Sequence, residues 1–344
     1  DHVAPGAKLR NKVGPKSVCS YLVGDFRKAM SRPLPMRQIG PLTVSAIGLG
    51  CMNLSHGYLP RPDAAQAERL LLHALDSGVT FFDTAAIYGS GRNEELLGRT
   101  LMHRRNEFTL ASKCVLAEVD GKRGLDGSPQ AIARVLDDAL RRLRVDHIDL
   151  YYMHRLDPKV PVEESMGAMV RAVEAGKIRA IGLSEMSAAT IRRAHAVHPI
   201  AAVQTEYSPW TRNPEIAVLD ACKELGIGFV AFSPLGRGLL AGRINEDGVG
   251  EGDMRADMPR FLPPHLGHNL VLYEKLRAVA DEAGCSAAQL CLAWVLSRGE
   301  HIVPIPGTTS TAHLDEDLAA PSLDLPGHGL AAGGPLVPPG AACG

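Results

Sequence analysis

Four ionisable side chains of different types follow short apolar runs in the first half of the chain. Asp83 directly follows Phe82, Tyr88 lies five residues on, Lys113 closes the run Phe108-Thr-Leu-Ala-Ser-Lys, and His154 closes Ile148-Asp-Leu-Tyr-Tyr-Met-His. A lysine held in a partly desolvated mouth needs a carboxylate, and Asp83 can supply it. An ammonium beside a phenol favours the phenolate, which brings the tyrosine toward neutrality as a proton donor or acceptor. A histidine alongside can hydrogen-bond the reacting oxygen and fix its direction. Such a set protonates an oxygen as negative charge develops on it. It contains no activated nucleophile and no metal site, so the electrons must come from elsewhere.

These positions make sense only if one kind of element recurs. Strands are expected over Val44–Leu49, Thr80–Phe82, Phe108–Ala111, Ile148–Met153, Ile178–Leu183, Ala201–Thr205, Gly228–Phe232 and His301–Ile305. Helices are expected between them, over Ala64–Ser77, Asn93–Met102, Pro129–Leu143, Val162–Ala175, Ala188–Val197, Pro214–Leu225 and Leu270–Ala283. Ile132, Val135, Leu136, Leu140 and Leu143 recur at three- and four-residue steps, an apolar stripe on one helix face. Gly78, Gly176 and Gly226 mark helix ends. Strands alternating with helices give a parallel sheet. A doubly wound dinucleotide fold would carry G-x-G-x-x-G after its first strand, whereas this chain has Gly48-Leu-Gly-Cys-Met-Asn53. The expected fold is therefore α/β, a single-domain (β/α)8 barrel, in which strand ends converge on one mouth.

The motifs carry a family resemblance. Gly78-Val-Thr-Phe-Phe-Asp-Thr-Ala85 with Tyr88-Gly89, Ala111-Ser-Lys113, Asp149-Leu-Tyr-Tyr-Met-His154, Gly176–Ser184, Phe232-Ser-Pro-Leu-Gly236 and Pro304-Ile-Pro-Gly-Thr308 resemble the aldo-keto reductases, in order from about Met36 to Ala319. The chain looks most like bacterial members. The resemblance implies NADPH bound across the barrel mouth and reduction of a small-molecule aldehyde or ketone. It implies Tyr88 as general acid, Lys113 and Asp83 as the pair tuning it, and His154 as the residue orienting the carbonyl. Ser184 and Gln204 would hold the nicotinamide carboxamide, with Tyr207 as the aromatic beneath its ring. Met52 and the loop Ser233, Pro234, Leu235, Gly236 and Gly238 would line the cofactor, with backbone N–H groups near its phosphates. Gly307, Thr308, Thr309, Ser310 and Asp317 would hold the adenosine end. Ser310, His313 and Asp317 stand where Lys, Arg and Asn are common in related sequences, so NADH use stays open. Glu185 stands where many members have Asn, and could accept from the carboxamide. His56, Tyr58 and Trp210 are candidate substrate-pocket residues. The surplus loop Gly242–Gly267 is expected to fold over the cofactor as a lid.

Composition is that of an ordinary globular protein. The chain has 344 residues, 37 Lys+Arg against 38 Asp+Glu, and a formal charge of −1. Near neutrality disfavours a nucleic-acid or membrane-surface partner. The seven cysteines are scattered without a C-x-x-C pair, as expected of a cytoplasmic protein. Residues 1–35 hold seven basic and two acidic side chains and read as a non-native or disordered tail, with a transit peptide as the alternative. Residues 321–344 are Gly, Pro or Ala at 15 of 24 positions and read as an irregular tail, which a shifted reading frame would explain. The barrel is thus expected over 36–320. Oligomeric state leaves no signature. A second function on the same fold is a nucleotide-binding regulatory subunit, similar to the potassium-channel β subunits, with little turnover.

Overall fold

Bulky apolar residues sit at alternate positions along short runs here, and each run is followed by a capped helix. A computed structural model describes residues 33–119 and 122–323. Its barrel strands are β3 (Leu49–Gly50), β4 (Phe81–Asp83), β5 (Thr109–Cys114), β8 (Ile148–Met153), β9 (Ile178–Ser184), β10 (Ala202–Glu206), β11 (Gly228–Phe232) and β12 (Ile302–Ile305). All are parallel and pair in that order. Gly48 N–H donates to the Pro304 carbonyl and Gly50 N–H to that of Pro306, both at 3.0 Å, which joins the last strand to the first. This is the expected (β/α)8 barrel.

The helices are α1 (Ala64–Asp76), α2 (Arg92–Thr100), α3 (Pro129–Leu143), α4 (Val162–Glu174), α5 (Ala188–Val197), α6 (Val218–Leu225), α7 (His265–Glu282), α8 (Ala287–Ser297) and α9 (Thr311–Ala319). Asp63, Ser128, Ser187, Ser286 and Ser310 each accept a backbone N–H of the following first turn, which fixes where five of them begin. The stripe read on α3 is the buried face, with Ile132, Leu136, Ala139 and Leu143 against the barrel wall.

Two hairpins and one helix were not legible as such. Met36–Ile39 (β1) and Leu42–Ser45 (β2) form an antiparallel pair, so the expected strand Val44–Leu49 is two elements separated by a bend. Ser45 breaks the run: its hydroxyl donates to the Ile47 carbonyl at 2.7 Å. Leu116–Val119 (β6) and Lys122–Leu125 (β7) form a second hairpin, at the mouth. The helix α8 precedes β12, and Pro214–Leu225 divides at Ala217, whose backbone is non-helical. Apart from residues 33–35 and 321–323, the tails expected over 1–35 and 321–344 lie outside the described residues. The described residues from Leu34 onward form one compact unit.

Ile39 and Val44 of the hairpin enter the barrel interior beside Phe81, Leu150, Tyr152, Val230 and Val303, and thereby fill its floor. Tyr152 is fully buried there, and a Cβ on Gly182 of the next strand would lie 2.3 Å from its ring. Substituting Gly182→Ala therefore forces the ring or the strand to move. We expect a loss of about 1–3 kcal/mol, measured as a lower urea midpoint with an unchanged m-value; an unchanged midpoint would show that the barrel relaxes freely.

Candidate active site

The mouth is assembled from residues at successive strand ends. Asp83 is the last residue of β4, and Ala111, two before Lys113, pairs with it in register. Lys113 is wholly buried. Its ammonium is ion-paired to Asp83 Oδ1, donates to the Thr84 carbonyl at 2.8 Å, and lies 3.4 Å from the Tyr88 hydroxyl. An ammonium has three hydrogens, and all three have a partner here. The other oxygen of Asp83 accepts from Gln204 Nε2 at 2.8 Å, tying β4 to β10 across the barrel.

The loop that carries Tyr88 is pinned beneath. Thr84 Oγ1 donates to Asn93 Oδ1 at 2.6 Å, and Asn93 Nδ2 donates to the Cys51 carbonyl at 2.8 Å. Below Lys113, buried Glu94 accepts from Ser112 Oγ at 2.6 Å and from Arg142 Nε at 2.7 Å. The His154 ring meets the Tyr88 ring edge-on with centroids 5.9 Å apart, and the His56 ring stacks on its other side at 6.1 Å.

Electrostatics follow from burial and from this one cation. Burial opposes the charge on Lys113, but the Asp83 carboxylate and the Tyr88 hydroxyl outweigh it and hold its pKa above the ordinary value. Burial raises the Tyr88 phenol, and the nearby ammonium only partly offsets that. The expected drift toward phenolate is therefore reversed: the resting phenol keeps its proton, the form an acid requires. Burial, with the charges of Lys113, Arg155 and Arg123, pushes His154 well below the ordinary imidazole value, so its ring is neutral. Its Nδ1 is buried with no hydrogen-bond partner.

A cavity of about 690 Å³ opens above this set. Among the expected residues, Met52, His56, Tyr58, Asp83, Tyr88, His154, Ser184, Gln204, Ser233, Pro234, Leu235, Gly238, Gly307, Thr308, Thr309 and Asp317 line it. Lys113 sits beneath its floor. Five of the residues expected at the cofactor or substrate lie off the cavity wall. Tyr207 is fully buried between Phe229 and Trp294, and its hydroxyl donates to Glu215 at 2.8 Å. Phe232, at the end of β11, puts an apolar aromatic ring on the cavity wall, 5.7 Å from the Arg237 guanidinium. Trp210 packs with Leu239, Leu240 and Phe261 in a separate apolar cluster and does not line the cavity. Ser310 is spent on capping α9, and Gly236 is buried against Leu240 and Trp210. Glu185 also turns away: its carboxylate accepts from the Glu206 N–H at 2.8 Å.

At the far end of the cavity, Arg243 contacts His313 and supplies the positive charge that α9 itself lacks. Sequence reasoning missed Arg243 because it comes from the opposite wall. Three non-glycine residues at the mouth, Glu185, Ser233 and Arg237, adopt the left-handed backbone conformation, with φ of 54°, 49° and 58°. Such strain concentrates where a loop is held in one functional shape. The expected lid over Gly242–Gly267 is an ordered strap whose Met254, Arg255 and Met258 face the cavity. Buried Asp253 accepts from the Leu59 N–H at 2.8 Å and from Arg255 Nη2 at 2.7 Å, and the Arg255 guanidinium lies 4.2 Å from the Tyr58 ring centroid.

A family model described as the Aldo/keto reductase family matches residues 46–330. The chain belongs to that family. It is 45% identical over 300 residues to "Aldo-keto reductase yakc [NADP(+)]" of Schizosaccharomyces pombe, covering 85% of this chain and 88% of that one. The glycerol dehydrogenase AKR11B4 from Gluconobacter oxydans superposes with a TM-score of 0.75 at 29% identity, over 83% of this chain and 89% of the other. The aldo-keto reductase AKR11C1 from Bacillus halodurans superposes at 0.71 and 28% identity, over 83% and 90%. Among the described residues no helix is long and apolar enough to cross a membrane.

The strap depends on the Asp253–Arg255 pair. Arg255→Ala leaves Asp253 buried without its cation, which costs about 3 kcal/mol of local opening free energy. Amide exchange over the strap should quicken roughly 100-fold with little change in global melting; unchanged exchange would show that backbone contacts alone hold it.

Proposed function

We propose that this chain is an NADPH-dependent reductase of aldehydes or ketones, with Tyr88 as the general acid. The observation that carries the reading is the Tyr88 hydroxyl, 3.4 Å from a buried ammonium, on the wall of the cavity. The barrel of residues 36–320 carries the activity, and the NADP(+) in the name of the fission-yeast relative supports the choice of cofactor.

The cavity fits the dinucleotide. Ser184 and Gln204 offer a hydroxyl and an amide oxygen beside the catalytic set, suited to a carboxamide. Phe232 offers a flat apolar platform next to them. Gly238 has φ of +96°, so its place in the wall is open only to a residue without a Cβ strain, and its backbone borders the cavity. Arg243, beside His313, provides a cationic donor for a phosphate at the other end. When bound, NADPH supplies the hydride.

The protein's own residues handle the oxygen. The neutral His154 ring and the Tyr88 hydroxyl flank the position from which a carbonyl oxygen can accept hydrogen bonds. As that oxygen gains negative charge, Tyr88 delivers its proton, and the phenolate left behind is stabilised by the ammonium of Lys113. Asp83 keeps that ammonium charged and in place, and Gln204 fixes Asp83 in turn. Water in the cavity then returns a proton to the phenolate.

Tyr88→Phe removes one oxygen and leaves the rest of the wall intact. We expect kcat for a panel of aldehydes to fall by about 10²–10⁴, with NADPH affinity unchanged by cofactor fluorescence. Equal rates would remove Tyr88 from the role, and tight NADPH binding without turnover on any substrate would favour the regulatory alternative. Phe232→Ala should weaken NADPH binding about tenfold or more, whereas Tyr207→Phe should not; the reverse ranking would restore Tyr207 as the platform.

A further inference from the structure

The arginines on the cavity wall are not all engaged alike. Arg237 is paired with Glu206, Arg255 with Asp253, and Arg243 contacts His313. Arg155, next in sequence to His154, lines the same cavity and is ion-paired to no described carboxylate. Its Nη1 donates to the His154 carbonyl at 2.5 Å and to Ser184 Oγ at 3.2 Å, while Nε and Nη2 make no hydrogen bond with any described residue. We infer that Arg155 holds a carboxylate of the substrate, so that the compounds reduced here are aldehydes or ketones that also carry an acid group. The inference rests on the reductase reading above and adds the substrate class.

The free edge of the guanidinium has the shape of that ligand. Arginine carries five N–H donors in one rigid plane. The two on Nη1 are spent on the protein, which fixes the plane against the end of β9. The other three belong to Nε and Nη2, and one from each points the same way along a single edge. Such a fork accepts the two oxygens of a carboxylate side by side. The carboxylate whose charge acts on Arg155 is Glu185, and it is turned away to accept from the Glu206 N–H at 2.8 Å. Burial, with the like charges of Arg123 and Arg237, therefore holds the Arg155 guanidinium below its ordinary pKa, although it stays charged.

Around the reacting atoms the charges do not cancel. Lys113 is neutralised by Asp83. Arg155 adds a positive charge, and Arg123, exposed on the β6–β7 hairpin, brings another to the same wall. Both are close enough to help push the His154 imidazole down. A neutral substrate filling this end strips water from Arg155 and returns nothing, whereas a carboxylate replaces that water with two charged hydrogen bonds. Sequence adjacency makes the two contacts compatible in one molecule: Tyr88 and His154 take the carbonyl oxygen, and the Arg155 fork takes the acid group. The acid group is unchanged by the reaction. The carbonyl carbon gains the hydride that NADPH supplies, its oxygen gains the Tyr88 proton, and the products are a hydroxy acid and the oxidised dinucleotide.

The test compares matched pairs of substrates that differ in charge: para-formylbenzoate against para-formylbenzamide, and succinate semialdehyde against butanal. For wild type, kcat/KM should favour the acid of each pair by about tenfold or more, the worth of a charged hydrogen bond, with the advantage lying in KM. Arg155→Gln should bring both ratios to about one, and Arg155→Lys, which keeps the charge without the fork, should hold them in between. A ratio cancels any change that acid and neutral substrate share through Ser184. On wild type alone, added salt should raise KM for the acids and leave it unchanged for the neutral partners. Wild-type ratios at or below one, an acid KM indifferent to salt, or ratios that Arg155→Gln leaves intact would overturn the inference, while turnover of the neutral aldehydes would keep the reductase reading standing. No turnover of any of the four compounds would overturn that reading and this inference with it.

Discussion

The site depends on one ammonium removed from water. Lys113 has no exposed surface, and a lone charge in that position would cost several kcal/mol. It is tolerated because Asp83, the Thr84 carbonyl and the Tyr88 hydroxyl occupy its three hydrogens. Each of those partners is fixed in turn: Asp83 by Gln204, and the loop after Thr84 by Asn93. A single buried cation thus ties the end of β5 to that of β4 and, through Asp83, to that of β10. It also lies within reach of the phenolate that proton donation would leave, so one group serves both the architecture and the chemistry proposed for it.

Much of this was legible because barrel topology converts sequence position into spatial position. A polar residue just past an apolar run must face the mouth if the run is a barrel strand, and Asp83, His154, Ser184 and Gln204 all do. The errors arose where that rule is too coarse. Tyr207 also follows a strand, but it lies beyond the last paired residue, Glu206, and turns outward into the layer between strands and helices. Phe232, the last residue of its strand, takes the place on the wall. Trp210 and Ser310 show a different limit: packing and helix capping use the same residue types as binding does. The drift of Tyr88 away from phenolate could not be read from sequence, since it is a balance between burial and one neighbouring charge.

The opposite walls divide the work unevenly. The strand ends hold Asp83, Lys113 and His154 in a rigid frame, while positive charge elsewhere on the cavity wall comes from a loop, through Arg237, Arg243 and Arg255. That loop is held by the Arg255–Asp253 pair, by ion pairs from Arg237 and Arg260 to Glu206 at the end of β10, and by left-handed backbone at Ser233 and Arg237. Its residues were invisible as a group in the sequence because the basic side chains are scattered over a segment with neither strand nor helix period.

The burial of Lys113 also bears on the proton transfer proposed for Tyr88. With the ammonium enclosed and all its hydrogens engaged, no water reaches the phenolate from beneath. The replacement proton has to arrive across the same face that meets the carbonyl. The strap pinned by Asp253 and Arg255 borders the same cavity through Met254 and Met258. In the reaction proposed, substrate and replacement proton therefore reach Tyr88 through one cavity.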